Sequence, residues 1–252
     1  MPVFRFLFPT LIALLCVHAW PAHADMHEEN PARFMSADVW PWAYLDEAGQ
    51  PAGLLHLLAQ RLSAVAGLPL ENRVLPHQRL RYEFRLGHGD FAVLWENPDL
   101  HDFALPIGEV LRSDMLLVAL AGSSRELSFD ALAGRPVGYI RGTYYGEAFQ
   151  EDQGMVKIAV NNLDQALYML NVGRLDAFIS SDVVLYHTFL AQGINPGGYR
   201  MRIQSHGYSG HLYMRREPSH PDQGPRIRAA LETLRESGEL AEIFRVPLIS
   251  EP

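Results

Sequence analysis

Residues 141–146, Arg-Gly-Thr-Tyr-Tyr-Gly, follow an apolar strand-like run and precede a helical one. In that setting backbone N–H groups and the Thr143 hydroxyl can hold an anionic or polar group at a helix N-terminus. The stretch has neither the Gly-Lys-Ser/Thr ending of a phosphate loop nor the Gly-x-Gly-x-x-Gly dinucleotide pattern. A plain strand-to-helix turn capped by Thr143 is the other reading. A second concentration of chemistry is aromatic: Trp40, Pro41, Trp42 and Tyr44 crowd a loop after the first apolar strand. Aromatic rings in such a loop either wall a pocket, stacking on apolar, cationic or ring-containing molecules, or pack in the core. Trp95, Glu96 and Asn97 follow the apolar run 91–94, so they fall beyond the carboxyl end of a strand, where open α/β sheets bind ligands.

Other chemistries find less support. The eight histidines from His56 to His220 stand singly, without a His-x-x-x-His or His-Glu-x-x-His pair, and read as isolated surface or core residues. No Gly-x-Ser-x-Gly elbow appears, and no carboxylate dyad is visible by spacing. The one cysteine, Cys16, precedes the expected signal cleavage site, which leaves no thiol for disulfides, catalysis or metal binding. No metal or cofactor is implied. The net charge of -8 argues against nucleic acid and anionic membranes as partners, and the arginine clusters 79/81/85, 200/202 and 215/216 read as solvated faces.

Positioning these groups requires a framework, and two stretches describe it in almost the same words. Residues 82–94 and 168–180 each run from a helix end through Gly87 or Gly173, two residues, then Asp90 or Asp176, into an apolar strand. The duplication predicts two related α/β lobes with a cleft between them, although Gly-x-x-Asp is also ordinary turn chemistry. Around the first copy the pattern predicts a strand from residue 34, a helix over 54–65 stopped by Gly67 and Pro69, a strand at 72–75, a helix over 78–86 and a strand at 91–94. Around the second, it predicts strands at 137–140, 156–160 and 177–179 with a helix capped by Asn162 and Gln165. Residues 115–120 form a crossover strand, residues 211–214 carry the chain back, and a helix striped by Ile227, Ala230, Leu231 and Leu234 closes at Gly238. The alternation implies mostly parallel sheets flanked by helices.

At the N-terminus, Arg5, the apolar run 6–20 and Ala22-His23-Ala24 predict a signal peptide over residues 1–24, cleaved after Ala24. The run is short for a spanning helix. Leu15, just before Cys16, disfavours a lipid anchor.

Three segments in order carry a family resemblance. They are Trp-Pro-Trp-x-Tyr-Leu-Asp-Glu-x-Gly-Gln-Pro-x-Gly at 40–53, Leu-x-Gly-Arg-x-Val-Gly-Tyr-Ile-Arg-Gly-Thr-Tyr-Tyr at 132–145 and Gly-Arg-Leu-Asp-Ala-Phe-Ile at 173–179. With Ala-Leu-Glu-x-Leu-Arg-x-x-Gly at 230–238, the chain resembles extracellular solute-binding protein family 3, the periplasmic amino-acid-binding type proteins of ABC importers. The resemblance implies a type II periplasmic-binding-protein-like fold, two lobes joined by two hinge strands and closing on a solute. It places residues 25–116 and 211–252 in lobe 1 and residues 117–210 in lobe 2. It implies a periplasmic monomer without cofactor, a small-molecule solute, and a membrane permease or sensor as partner. Its ligand positions fall on Trp42, Tyr44, Trp95, Glu96, Asn97, Arg141, Thr143, Tyr144, Ser181 and Asp182.

Two departures stand out. Amino-acid binders of the family usually carry an arginine where this chain has Leu100, for the α-carboxylate, and an aspartate where it has Ser181, for the α-ammonium. A missing charged hydrogen bond costs roughly 1 to 3 kcal/mol, which disfavours a standard α-amino acid. Either Arg141 replaces the arginine and holds an anion, or the aromatic wall takes a more apolar or neutral solute. A dehydratase-like enzyme on the same scaffold, acting on a small carboxylate, is the rival reading, with Glu96 and Asp182 as its acid or base.

Overall fold

The computed structural model describes residues 31–218 and 221–246. The expected signal peptide lies outside the described residues. In chain order the elements are β1 (Ala32–Ala37), β2 (Tyr44–Leu45), β3 (Pro51–Ala52), α1 (Leu54–Ala66), β4 (Leu70–Leu75), α2 (His77–Arg85), β5 (Phe91–Trp95), β6 (Ala104–Leu120) and β7 (Pro136–Ile140). They continue with α3 (Glu147–Glu151), β8 (Val156–Val160), α4 (Leu163–Asn171), β9 (Ala177–Ser181), α5 (Asp182–Gln192), β10 (Tyr199–Arg215), α6 (Gln223–Glu236) and α7 (Glu239–Ile243).

The main sheet runs β4-β1-β5-β10-β6-β9-β7-β8. Its outer triplets, β4-β1-β5 and β8-β7-β9, are each parallel, and the antiparallel pair β6/β10 lies between them. The order is that of two β-α-β-α-β units facing each other, so the sequence repeat is a repeat of topology. Asp90 N–H bonds the Arg33 carbonyl and Asp176 N–H bonds the Pro136 carbonyl, both at 2.9 Å, tying equivalent strands at equivalent points. Gly87 and Gly173 adopt φ of 85° and 72° beyond their helices, a conformation glycine takes without steric cost.

β6 and β10 are 17 residues each, long enough at about 3.4 Å per residue to run through both lobes. Gly210–Met214 of β10 pairs with β5, whereas Met115–Val118 of β6 pairs with β9. Both strands therefore belong to both lobes and are the two hinge strands of the fold. Their pairing slips between Ile203 and Ser205, between Ser205 and Tyr208 and between Gly210 and His211, at the middle of the ribbon. The spacing predicts only their most apolar parts, 115–120 and 211–214. Pro106 and Gly108 in β6 and the polar run 204–207 in β10 interrupt the alternation in the remainder.

Helices cover both faces of each half-sheet. Leu80 and Phe84 of α2 pack with Met35, Ala92 and Phe103 on one face of lobe 1, and Tyr145 and Phe149 pack with Leu117, Val137 and Ile179 on the matching face of lobe 2. The opposite faces share a larger cluster under α1, α4, α5 and α6. The helix α5 is absent from the expected elements: β9 does not continue past Ser181, whose Oγ accepts from Val184 N–H at 3.3 Å and starts a helix.

Candidate functional site

Where the carboxyl ends of the strands from the two lobes face each other, a cavity of about 670 Å³, counted with its open mouth, crosses between them. Lobe 1 contributes Val39, Trp42, Leu55, His77 and the end of β5, while lobe 2 contributes Ile140, Thr143, Tyr145, Ser180, Ser181 and Val184. Leu111, Met115 and Gly210 of the hinge strands line it between the two lobes. The strand ends deliver these groups because both lobes are parallel and point the same ends inward.

Trp42 is fixed by its backbone. The Pro41 and Trp42 carbonyls accept the first free N–H groups of α1, from Leu54 at 3.0 Å and Leu55 at 2.7 Å. This close approach passes over Gly53, where a Cβ would meet the Pro41 carbonyl oxygen at 2.7 Å and φ is 100°. Trp42 is thereby buried, 9% exposed, with its ring T-shaped to Trp95 at 5.7 Å and 85°. Trp95 in turn lies 5.7 Å from Tyr208 of β10, and Tyr208 lies 5.9 Å from Tyr144 of lobe 2. A row of rings thus runs from lobe 1 over a hinge strand to lobe 2. The Tyr208 hydroxyl donates to the Glu96 carbonyl at 2.7 Å, and its burial raises its pKa well above the ordinary phenol value.

The polar groups on the wall are few and neutral. His77 opens α2, with Nδ1 enclosed and without a hydrogen-bond partner. Burial, then the nearby Arg81 guanidinium, push its pKa down to about 4. Tyr145 is fully within the core; its oxygen accepts from Ile140 N–H at 3.2 Å, and burial moves its titration far up. The Ser180 hydroxyl donates to the Ser181 carbonyl at 3.3 Å. Among the described residues, no aspartate, glutamate, lysine or arginine lines this cavity.

Of the residues singled out by sequence, Trp42, Trp95, Thr143 and Ser181 come together on the cavity wall. Asn97 and Tyr144 line a side recess of about 270 Å³ that shares His77, Leu94 and Trp95 with it. Asn97 is buried, its Oδ1 accepting from Asp99 N–H at 3.0 Å to cap a short 3-10 turn. Tyr44 lies apart, 4.9 Å from Trp40, and both rings line another recess against α4 and α5. Glu96 and Arg141 are exposed and line none of these recesses. Asp182 accepts from the Ser113 hydroxyl and from Val183 N–H at 2.6 Å and is also off the wall.

The structure adds detail at two of the sequence positions. The turn at 141–146 has one donor fewer than the spacing predicts: Thr143 N–H is spent on the Ile140 carbonyl at 3.2 Å, and the helix that follows has five residues with Glu147 in its first turn. Leu100, in the place of the family's arginine, is 2% exposed in the lobe 1 core and borders only the side recess. Spacing missed His77, Tyr145 and Ser180. His77 was legible only through topology, as the second residue beyond the end of β4.

Among the described residues, no group of three or more histidines, cysteines or carboxylates is placed to hold a metal, and no helix is long and apolar enough to cross a membrane. Neither a protein-family model nor a curated protein sequence matches the chain. Solved structures do match its fold. A histidine kinase sensor domain with similarity to periplasmic binding proteins superposes with a TM-score of 0.74 at 17% identity, covering 85% of this chain and 94% of that one. The periplasmic VFT2 domain of Bordetella pertussis BvgS gives 0.70 at 19% identity over 88% and 95%. An ancestral arginine-binding protein bound to arginine gives 0.68 at 20% identity over 85% and 96%. These neighbours are binding and sensor domains rather than enzymes, and the likeness is one of fold.

Proposed function

We propose that this chain is a solute-binding or solute-sensing domain that closes its two lobes on a small molecule in the interlobe cavity. The observation that carries the reading is a cavity walled from both lobes and crossed only by the two hinge strands. A molecule that touches Trp42 and Trp95 on one side and Thr143 and Ser181 on the other binds the closed arrangement better than an open one. It therefore shifts the population toward closure, and a membrane permease or sensor that recognises the closed form reads out the solute. On this reading residues 25–116 and 211–252 form one lobe and 117–210 the other. The protein acts in the periplasm after loss of residues 1–24, as a monomer without cofactor.

The catalytic reading rests on Glu96 and Asp182 as its acid or base, and both stand off the cavity wall.

The test is thermal melting of residues 25–252, unfolded and refolded to strip bound solute, against amino acids, amines, dicarboxylates, aromatic acids and amides, and small sugars. A ligand at ~1,000 times its dissociation constant adds about 4 kcal/mol, which raises the midpoint by roughly 8 to 16 °C for a chain of this size. Such a shift from one chemical class, abolished in Trp42→Ala, is the expected outcome. Flat melting curves across every class would sink the reading.

A further inference from the structure

The cavity specifies the charge of its occupant. We propose that the solute is an uncharged molecule with a flat apolar body and a hydrogen-bonding edge, its body against Trp42 and Trp95 and its edge toward Ser180, Ser181 and Thr143. The inference rests on the solute-binding reading above and deepens it.

The walls carry the argument. Two indoles held T-shaped at 5.7 Å and 85° form a corner rather than a slot. A planar ring gains from such a corner by stacking on one face while its edge meets the other ring. Val39, Leu55, Leu111, Met115, Ile140 and Val184 complete an apolar enclosure in which a body of this kind displaces water at a profit.

A charge on the solute finds nothing to pair with there. His77 and Tyr145 are the ionisable side chains on the wall among the described residues, and burial holds both neutral at pH 7. The nearby charges stand off the wall. Arg81 opens onto the side recess, with Asp99 at 3.5 Å, Arg141 is exposed, and the Asp182 carboxylate is taken by Ser113 and the start of α5. A carboxylate or ammonium brought into the cavity loses its hydration without a counter-charge, and the weakening of binding is at least ~100-fold. An α-amino-acid zwitterion meets that loss at both ends. The Thr143, Ser180 and Ser181 hydroxyls on the wall instead suit a neutral polar edge such as an amide, a phenol or a ring N–H.

The experiment compares neutral and charged members on one ring: benzamide, benzoate, benzylamine and phenylalanine, with nicotinamide against nicotinate as a second ring. The stripped protein is titrated by calorimetry and by tryptophan fluorescence, since from residue 25 on its tryptophans are Trp40, Trp42 and Trp95, all in or beside the cleft. Amide binding with each charged analogue at least ~100-fold weaker is the expected result. A carboxylate that binds as tightly as its amide and is lost in Arg81→Gln overturns the inference while the solute-binding reading stands. Silence from both rings together with a melting shift from a charged compound of the wider panel overturns it in the same way. Silence throughout overturns the inference and the reading beneath it.

Discussion

Replacing His77 by glutamine should remove a large part of the protein's acid sensitivity. The imidazole is pushed down to about 4 from its ordinary 6.5, by burial first and by Arg81 second. As the pH falls below about 6.5 the unfolded chain takes up this proton while the folded one does not. The unfolded state then binds more protons, so this residue makes stability fall with decreasing pH until the folded site also protonates near 4. Each pKa unit is worth 1.36 kcal/mol, so the loss between pH 7.5 and pH 4 is roughly 2 to 3 kcal/mol, allowing for partial exposure of the ring. Glutamine keeps a neutral donor and acceptor and has no proton to gain. His56 and His187, whose pKa values are also lowered by burial, are present in both proteins and cancel in the comparison. Urea unfolding followed by circular dichroism at pH 7.5 and pH 4 supplies the measurement. The stability of wild type relative to His77→Gln should drop by roughly 2 to 3 kcal/mol on acidification. A relative stability constant within about 0.5 kcal/mol would refute the enclosed, neutral imidazole from which the charge argument for the cavity proceeds.

Gly53→Ala should destabilise the protein by at least about 1 to 3 kcal/mol, because the residue is held at φ 100° with its added Cβ against the Pro41 carbonyl. Gly49→Ala is the control: φ is 74° with open space around it, so thermal melting should show a clearly smaller loss, and equal losses would remove the steric explanation. Ser181→Ala should cost about 1 kcal/mol through loss of the α5 cap. It should also weaken solute binding beyond that of Asn162→Ala, which loses an equivalent cap at α4 away from the main cavity wall. Equal affinities of the two variants would remove the Ser181 hydroxyl from the solute's contacts.

The lobes were legible because the same solution is written twice. Helix end, glycine, two residues, aspartate and apolar run is a local pattern, and each copy makes its own backbone bond to the neighbouring strand. The hinge strands were half legible, since a ribbon that passes from one lobe to the other leaves the core midway. There its residues turn polar and its pairing slips. The helix α5 was illegible for the opposite reason: β9 is buried at every position and, past Asp182, the chain continues into Val183, Val184 and Leu185, also buried, with the Ser181 cap to mark the change. A short apolar run does not distinguish strand from helix by periodicity.

The site shows a sharper limit. β5, β7 and β9 end at Trp95, Ile140 and Ser181, and each of these lines the cavity. The next residue in each case is charged, Glu96, Arg141 and Asp182, and each stands off the wall. Their anchors are local. Glu96 N–H bonds the Ser209 carbonyl at 3.0 Å, Arg141 N–H bonds the Val160 carbonyl at 2.9 Å, and Asp182 is folded onto the start of α5 and onto Ser113. A displacement of one residue at a strand end, a rise of about 3.3 Å, decides whether a charge faces the solute or the solvent. Sequence spacing places a charged residue at the right strand end and leaves its direction undetermined, which is why all three read as ligand positions. On the proposed reading the solute meets the last residue of each strand, and here those residues are an indole, an isoleucine and a serine.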